Sequence, residues 1–146
     1  MNTPAHAIIN LLILGRQSAG KKTIPILIGA ILPDIAIFAL YFWHLLLGTP
    51  EAMIWSVEYY KPGWQAFIDV FNSMPLLVLG ILTCWKTKQH YLLIFFASML
   101  LHTLGDFPLH HDDAHRHFFP LVTGVSAVQC LIGILLTMVT GRAFSK

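Results

Sequence analysis

Charge is what this chain lacks. Lysine, arginine, aspartate and glutamate together make up 11% of its 146 residues, against roughly 25% in an ordinary soluble domain. The net charge is only +2 and no basic stripe runs along the sequence, so nucleic acid is not an expected partner. Cysteine is nearly absent. Cys84 and Cys130 both sit inside apolar segments, where they read as small buried hydrophobes and not as a disulfide or a thiolate metal pair. There is no nucleotide-binding glycine loop, serine-triad motif, haem-attachment motif, internal repeat or low-complexity tract. No basic residue precedes the first apolar stretch; Arg16, Lys21 and Lys22 follow it. That is the reverse of a cleavable signal peptide, so Met1 is expected to remain.

Apolar side chains fill the space that charge leaves. They make up 56% of the chain, for a mean hydropathy of +0.69. They gather in runs at Ile24–Leu47, Pro75–Trp85, Tyr91–Leu101 and Leu121–Val139. A run of about 20 residues matches the hydrocarbon thickness of a bilayer. The fold expected is all-α: a polytopic transmembrane helical bundle forming one integral membrane domain over residues 1–146, with four spanning helices plus a short N-terminal helix. Thr3-Pro4 opens the short helix, which runs to Leu14. Thr23 opens the second, to Leu47, with Pro25 and Pro33 inside it. An interfacial segment follows from Thr49-Pro50 to Tyr60 and is broken by Lys61-Pro62-Gly63. The third, fourth and fifth helices are expected at Gln65–Trp85, Gln89–Asp106 and Phe119–Thr140.

Three groups of loop cations fall on one side of this up-and-down path: Arg16, Lys21 and Lys22; Lys86 and Lys88; Arg142 and Lys146. That side is expected to be cytoplasmic. Trp43, Trp55 and Trp64 then mark the outer interface, and Trp85 and Tyr91 the inner one. His44 and His90 sit at opposite interfaces with no assigned role.

Polar residues inside such helices need partners or a cavity. Asp34 follows Pro33, whose missing N–H frees the carbonyl of Gly29. Counted from the cytoplasmic ends at 1.5 Å per residue, His6, Asp34, Asn72 and His102 rise to about 15–21 Å. Four helices thus bring polar side chains to a similar depth, with Asp69 and Asp106 roughly one turn further out. His102 and Asp106 are i and i+4 on one helical face, an arrangement that lets imidazole and carboxylate grip one ion. The stretch from His102 to His117 holds five of the eight histidines and three of the seven carboxylates. Imidazole and carboxylate are ligands for Zn²⁺ and similar cations, so this segment predicts a metal site, with His110, His111 and His115 as further ligand candidates.

The early histidine (His6), Leu32-Pro33-Asp34 in the next helix, and His102 and Asp106 followed by Pro108 and more histidines resemble the small inner-membrane proteins called membrane-bound metal-dependent hydrolases. Their polar residues are in turn similar to the ligand arrangement of zinc phospholipase C. Ala36 stands where that family usually has a second aspartate, and the third helix offers only Asp69, Asn72 and Ser73 where the family carries a His-Arg and Thr-His-Ser segment. Some relatives are labelled as cobalamin-biosynthesis proteins, although nothing in these residues supports corrin chemistry. The resemblance implies a divalent metal, Zn²⁺ first, held by His102 and Asp106 with His6, Asp34 and one of His110, His111 or His115. It further implies attack of an activated water on an ester or phosphoester, with Asp69 accepting a proton and Arg116 balancing a phosphate. Membrane lipids are the expected surroundings, a lipid-phase substrate the natural one, and a bacterial inner membrane with the His-rich segment facing the periplasm the expected location. Two other readings stay open: a non-catalytic metal-binding membrane protein (a sensor or a transporter's accessory subunit), and a structural bundle of hydrogen-bonded helices.

Overall fold

A computed structural model describes residues 3–16, 22–107 and 117–119. These residues form six α-helices: α1 (Thr3–Leu14), α2 (Thr23–Leu46), α3 (Glu51–Met53), α4 (Pro62–Asn72), α5 (Met74–Lys86) and α6 (His90–Asp106). A stretch of π-helix, Ile54–Glu58, continues α3. The expected fifth helix, Phe119–Thr140, lies outside the described residues except for Phe119.

α6 is the centre of the arrangement. It packs against α2 on one side and α5 on the other, while α1 rests on both α2 and α6. Small residues make the α2–α6 crossing tight. A Cβ added to Gly29 would lie 2.4 Å from the Phe95 carbonyl oxygen and 2.8 Å from the Ser98 Cβ, so only glycine lets the two backbones approach this closely. At the far end of α2, Ala36 and Leu40 pack with Ile54, Tyr59 and Ile68 into an apolar cluster, with Trp64, Phe67 and Phe71 against it. This cluster fastens the π-helical connector and α4 to α2.

Both helix ends that feed the hairpin turns are closed by the same backbone motif. At the end of α2, Gly48 adopts φ 73°, with its N–H on the Leu45 carbonyl and the Thr49 N–H on the His44 carbonyl, each at 3.0 Å. At the end of α5, Lys88 takes the equivalent place at φ 57°, with the Gln89 N–H on the Cys84 carbonyl at 2.8 Å and its own on Trp85 at 3.2 Å. These are Schellman caps, whose left-handed position glycine fills without strain. For a residue with a Cβ the same conformation costs about 1 kcal/mol.

The boundaries differ from expectation at two points. The helix expected from Gln65 to Trp85 is two helices, bent by 42° at Ser73. Pro75 explains the break, because it has no N–H for the Phe71 carbonyl and its ring would collide with it. Ser73 turns extended (φ −78°, ψ 108°), and its hydroxyl accepts the Leu76 N–H to cap α5 and donates to the Phe119 carbonyl. Pro62, expected to end structure, instead begins α4, where its missing N–H is harmless.

By length and composition one described helix, Thr23–Leu46, can cross a membrane, or two if the bent α4–α5 pair is a single span. Only 33% of the most apolar window of α2 is buried against protein, leaving Ile24, Ile28, Phe38, Phe42 and Leu46 exposed.

Candidate metal centre

The interior between α1, α2 and α6 is polar. Its side chains follow a four-residue spacing on each helix: His6 and Asn10 on α1, Ser98, His102 and Asp106 on α6. On α2 the same spacing brings in the carbonyls of Ile26 and Ala30 and the side chain of Asp34.

In the lowest tier, the Asn10 side-chain amide donates to the Ser98 carbonyl at 2.7 Å and to its hydroxyl at 2.8 Å. The Ser98 hydroxyl donates onward to the Ile26 carbonyl at 2.6 Å. Hydrogen bonds of this kind between apolar helices are each worth about 0.6–1.7 kcal/mol. Ser98→Ala should therefore lower stability by about that amount in thermal unfolding in detergent. If the tier acts as a unit, Asn10→Ala added to it should cost less than it does alone; strict additivity would show that the two groups act separately.

One turn up, the rings of His6 and His102 stack with centroids 3.7 Å apart and planes 22° from parallel. His102 is fully buried, and its Nδ1 lies 2.7 Å from the Ala30 carbonyl. A carbonyl only accepts, so Nδ1 carries a proton, which leaves Nε2 as the other working atom of the ring. Among the described residues Nε2 has no hydrogen-bond partner, yet it lies 3.2 Å from Asp106 Oδ2 and 3.5 Å from Asp34 Oδ1. The other Asp106 oxygen, Oδ1, is 2.9 Å from His6 Nε2.

Asp34 and Asp106 arrive from different helices. Asp34 is half-buried, and its second oxygen accepts the hydroxyl of Thr3 at the start of α1, which turns Oδ1 toward His102. Asp106 sits on the last turn of α6, four residues beyond His102.

This geometry poses one electrostatic question. A neutral His102 protonated on Nδ1 would aim the Nε2 lone pair at two carboxylates in a poorly solvated interior. Only a cation between them, a proton or a metal ion, removes the repulsion. The donor set fits a metal: ligand atoms of His6, His102 and Asp106 lie within 4.8 Å of one another, all three residues being buried. The 2.9, 3.2 and 3.5 Å separations also bracket the spacing of about 3.3 Å between neighbouring ligands of a tetrahedral Zn²⁺. The Nδ1–carbonyl bond of His102 is the support that metal-binding imidazoles ordinarily have. The triad could thus hold a metal ion; Asp34 approaches it through His102 alone, at 3.5 Å from Nε2.

The other candidates stand elsewhere. Asp69 is buried on α4 and is not among the triad. The Asn72 side chain reaches α2 but bonds backbone, donating to the Ile68 carbonyl at 3.0 Å and to Pro33 at 3.4 Å. His110, His111, His115 and Arg116 lie outside the described residues. His117 is buried with its ring edge-on to Phe107.

Sequence reasoning missed Thr3, whose partner Asp34 lies 31 positions away. It also passed over His44, which is not an idle interfacial residue. Its Nε2 is 3.3 Å from Glu58 Oε2, which Lys61 also approaches at 2.6 Å. His44 and Glu58 are both buried, the first on α2 and the second at the end of the π-helical connector, whose path the sequence does not reveal. No protein-family model, curated protein or solved structure matches the chain.

Proposed function

We propose that this chain is an integral membrane protein of the metal-dependent hydrolase kind, with His6, His102, Asp106 and Asp34 holding a divalent metal, Zn²⁺ first. The observation that carries the reading is His102 Nε2, fully buried, without a hydrogen bond among the described residues, and facing two carboxylates.

The membrane part of the proposal rests on where polarity lies. Among the described residues the buried set holds at least as many polar side chains as apolar ones, while large apolar side chains on α1, α2, α5 and α6 are exposed. In water that distribution would be inverted; in lipid it is the expected one. Four spans, with Phe119–Thr140 as the last and the cation-bearing loops in the cytoplasm, complete the proposed topology.

A bound Zn²⁺ would supply Lewis acidity and a water acidified toward neutral pH. The chain's residues do the rest. Ala30 holds His102 in one tautomer, Thr3 fixes one oxygen of Asp34, and α1 closes one side of the cluster with the His6 ring. Asp34 is the least buried of the four residues, with 17% of its side chain exposed, so it marks the side from which an ester or phosphoester, lipid-borne in this reading, would enter. Asp69 is the proposed proton acceptor, and Arg116 the proposed phosphate partner.

The near-complete burial of His6 and His102 favours a second reading, a metal-binding protein without catalysis. Elemental mass spectrometry on the freshly purified chain decides first whether metal is present, at about one ion per chain. Chelation should then lower the Tm. A ligand at 100 times its Kd contributes about 2.7 kcal/mol, and added Zn²⁺ should restore the loss. Turnover of phosphodiester or phospholipid substrates by the metal-loaded chain separates hydrolase from binding protein. A folded chain that neither contains nor takes up metal would leave only a hydrogen-bonded polar core.

A further inference from the structure

The hairpin between α5 and α6 carries an open groove of about 650 Å³, lined by Leu82, Trp85, Lys86, Lys88 and His90. Its lining surface is mostly apolar, with Lys86, Lys88 and His90 standing among Leu82 and Trp85, and Trp85 is exposed over 72% of its surface. A tryptophan at a membrane boundary sits at headgroup level, with its ring toward the acyl chains.

Lys88 is the telling residue. It occupies the left-handed position of a Schellman cap at φ 57°, the place that Gly48 fills in the same motif at the end of α2. A backbone outlier of this kind, in a position where glycine is strain-free, points to a use for the side chain. General cytoplasmic positive charge does not supply that use, because a lysine one position away would serve topology equally well without strain.

We propose that this groove binds the headgroup of an anionic phospholipid: Lys86 and Lys88 meet the phosphate, and Trp85 and Leu82 take the start of the acyl chains. The inference rests on the membrane reading above but is independent of the metal site. Charge complementarity selects an anionic lipid over a zwitterionic one, and the apolar lining selects a lipid over free phosphate.

The test begins with carbonate extraction of membranes carrying the full chain. Recovery in the supernatant would overturn the membrane reading and this proposal together. With the chain retained, the detergent-solubilised protein is mixed with phosphatidylglycerol or phosphatidylcholine, and bound lipid is counted by native mass spectrometry. The wild type should retain phosphatidylglycerol in clear excess, and a large excess of inorganic phosphate should not displace it.

Lys88→Gly separates a binding role from a structural one. It relieves the strained conformation, so Tm should rise by a few degrees, yet lipid retention should fall by about fivefold, the factor that one lysine near an anionic surface is worth. Lys86→Gln, which leaves the cap intact, should lose a similar factor. Equal retention of the two lipids, undiminished retention in Lys88→Gly, displacement by phosphate alone, or a lowered Tm in Lys88→Gly would each overturn the proposal while leaving the membrane reading standing.

Discussion

His102→Ala is expected to strip metal from the purified chain, lowering its affinity by at least about a hundredfold, since the outer partners of a ligand alone are worth 10–100-fold. Among the described residues His102 is the side chain in contact with every part of the cluster: it stacks on His6, donates to Ala30, and points Nε2 at Asp34 and Asp106. Asp106→Asn tests the same point with little change of shape. It removes the charge that bridges the two histidines, Oδ1 toward His6 and Oδ2 toward His102, and should deplete metal as severely. Asp34→Asn should be milder if Asp34 only orients the others, a loss of about 10–100-fold, and as severe if it is a ligand. Stoichiometric metal in both His102→Ala and Asp106→Asn would remove the site from consideration.

Gly29→Ala should destabilise the bundle by about 1–3 kcal/mol, the range for overpacking a tight contact. The added methyl would meet the Phe95 carbonyl at 2.4 Å, and that obstacle is backbone. α2 and α6 must separate, and Ala30, the next residue, carries the carbonyl that holds His102 at 2.7 Å. Metal retention should therefore fall with Tm, although Gly29 touches no ligand. Gly80→Ala is the control. Its new Cβ would lie 2.9 Å from ring atoms of Phe96, a side chain able to rotate away, so stability should fall less and metal should stay. A Gly29→Ala protein with unchanged Tm and metal content would contradict the close crossing.

Helical spacing made much of this legible in the sequence. His102 and Asp106 had to share a face, and depth along separate helices brought His6 and Asp34 to the same level. Depth could not tell a side chain that enters the cluster from one that bonds backbone beside it, which is why Asn72 and His102 looked alike. Nor could the sequence show that the carbonyls of Ile26 and Ala30 would serve as acceptors, because every residue carries one. Thr3 looked like a helix start and nothing more. The break at Ser73 was readable in principle from Pro75, but the apolar run across it suggested one continuous helix. His44 and Glu58 are 14 positions apart and meet only through the π-helical connector, whose altered turn moves Glu58 off the place that regular α-geometry would give it.

The ladder between α2 and α6 also raises a question of alignment. Carbonyls recur at every turn, so Ser98 and His102 would find equivalent acceptors if α6 slid by one turn along α2, and the hydrogen bonds alone would not notice the error. Pro25, Gly29 and Pro33 lie one turn apart on α2. Of the three, only Gly29 offers a gap for the backbone at Phe95; one turn either way, a proline ring stands in its place. The notch and its two blocked neighbours make α2 a keyed rail that α6 can mount in a single position, and that position is the one that carries His102 up to Asp34.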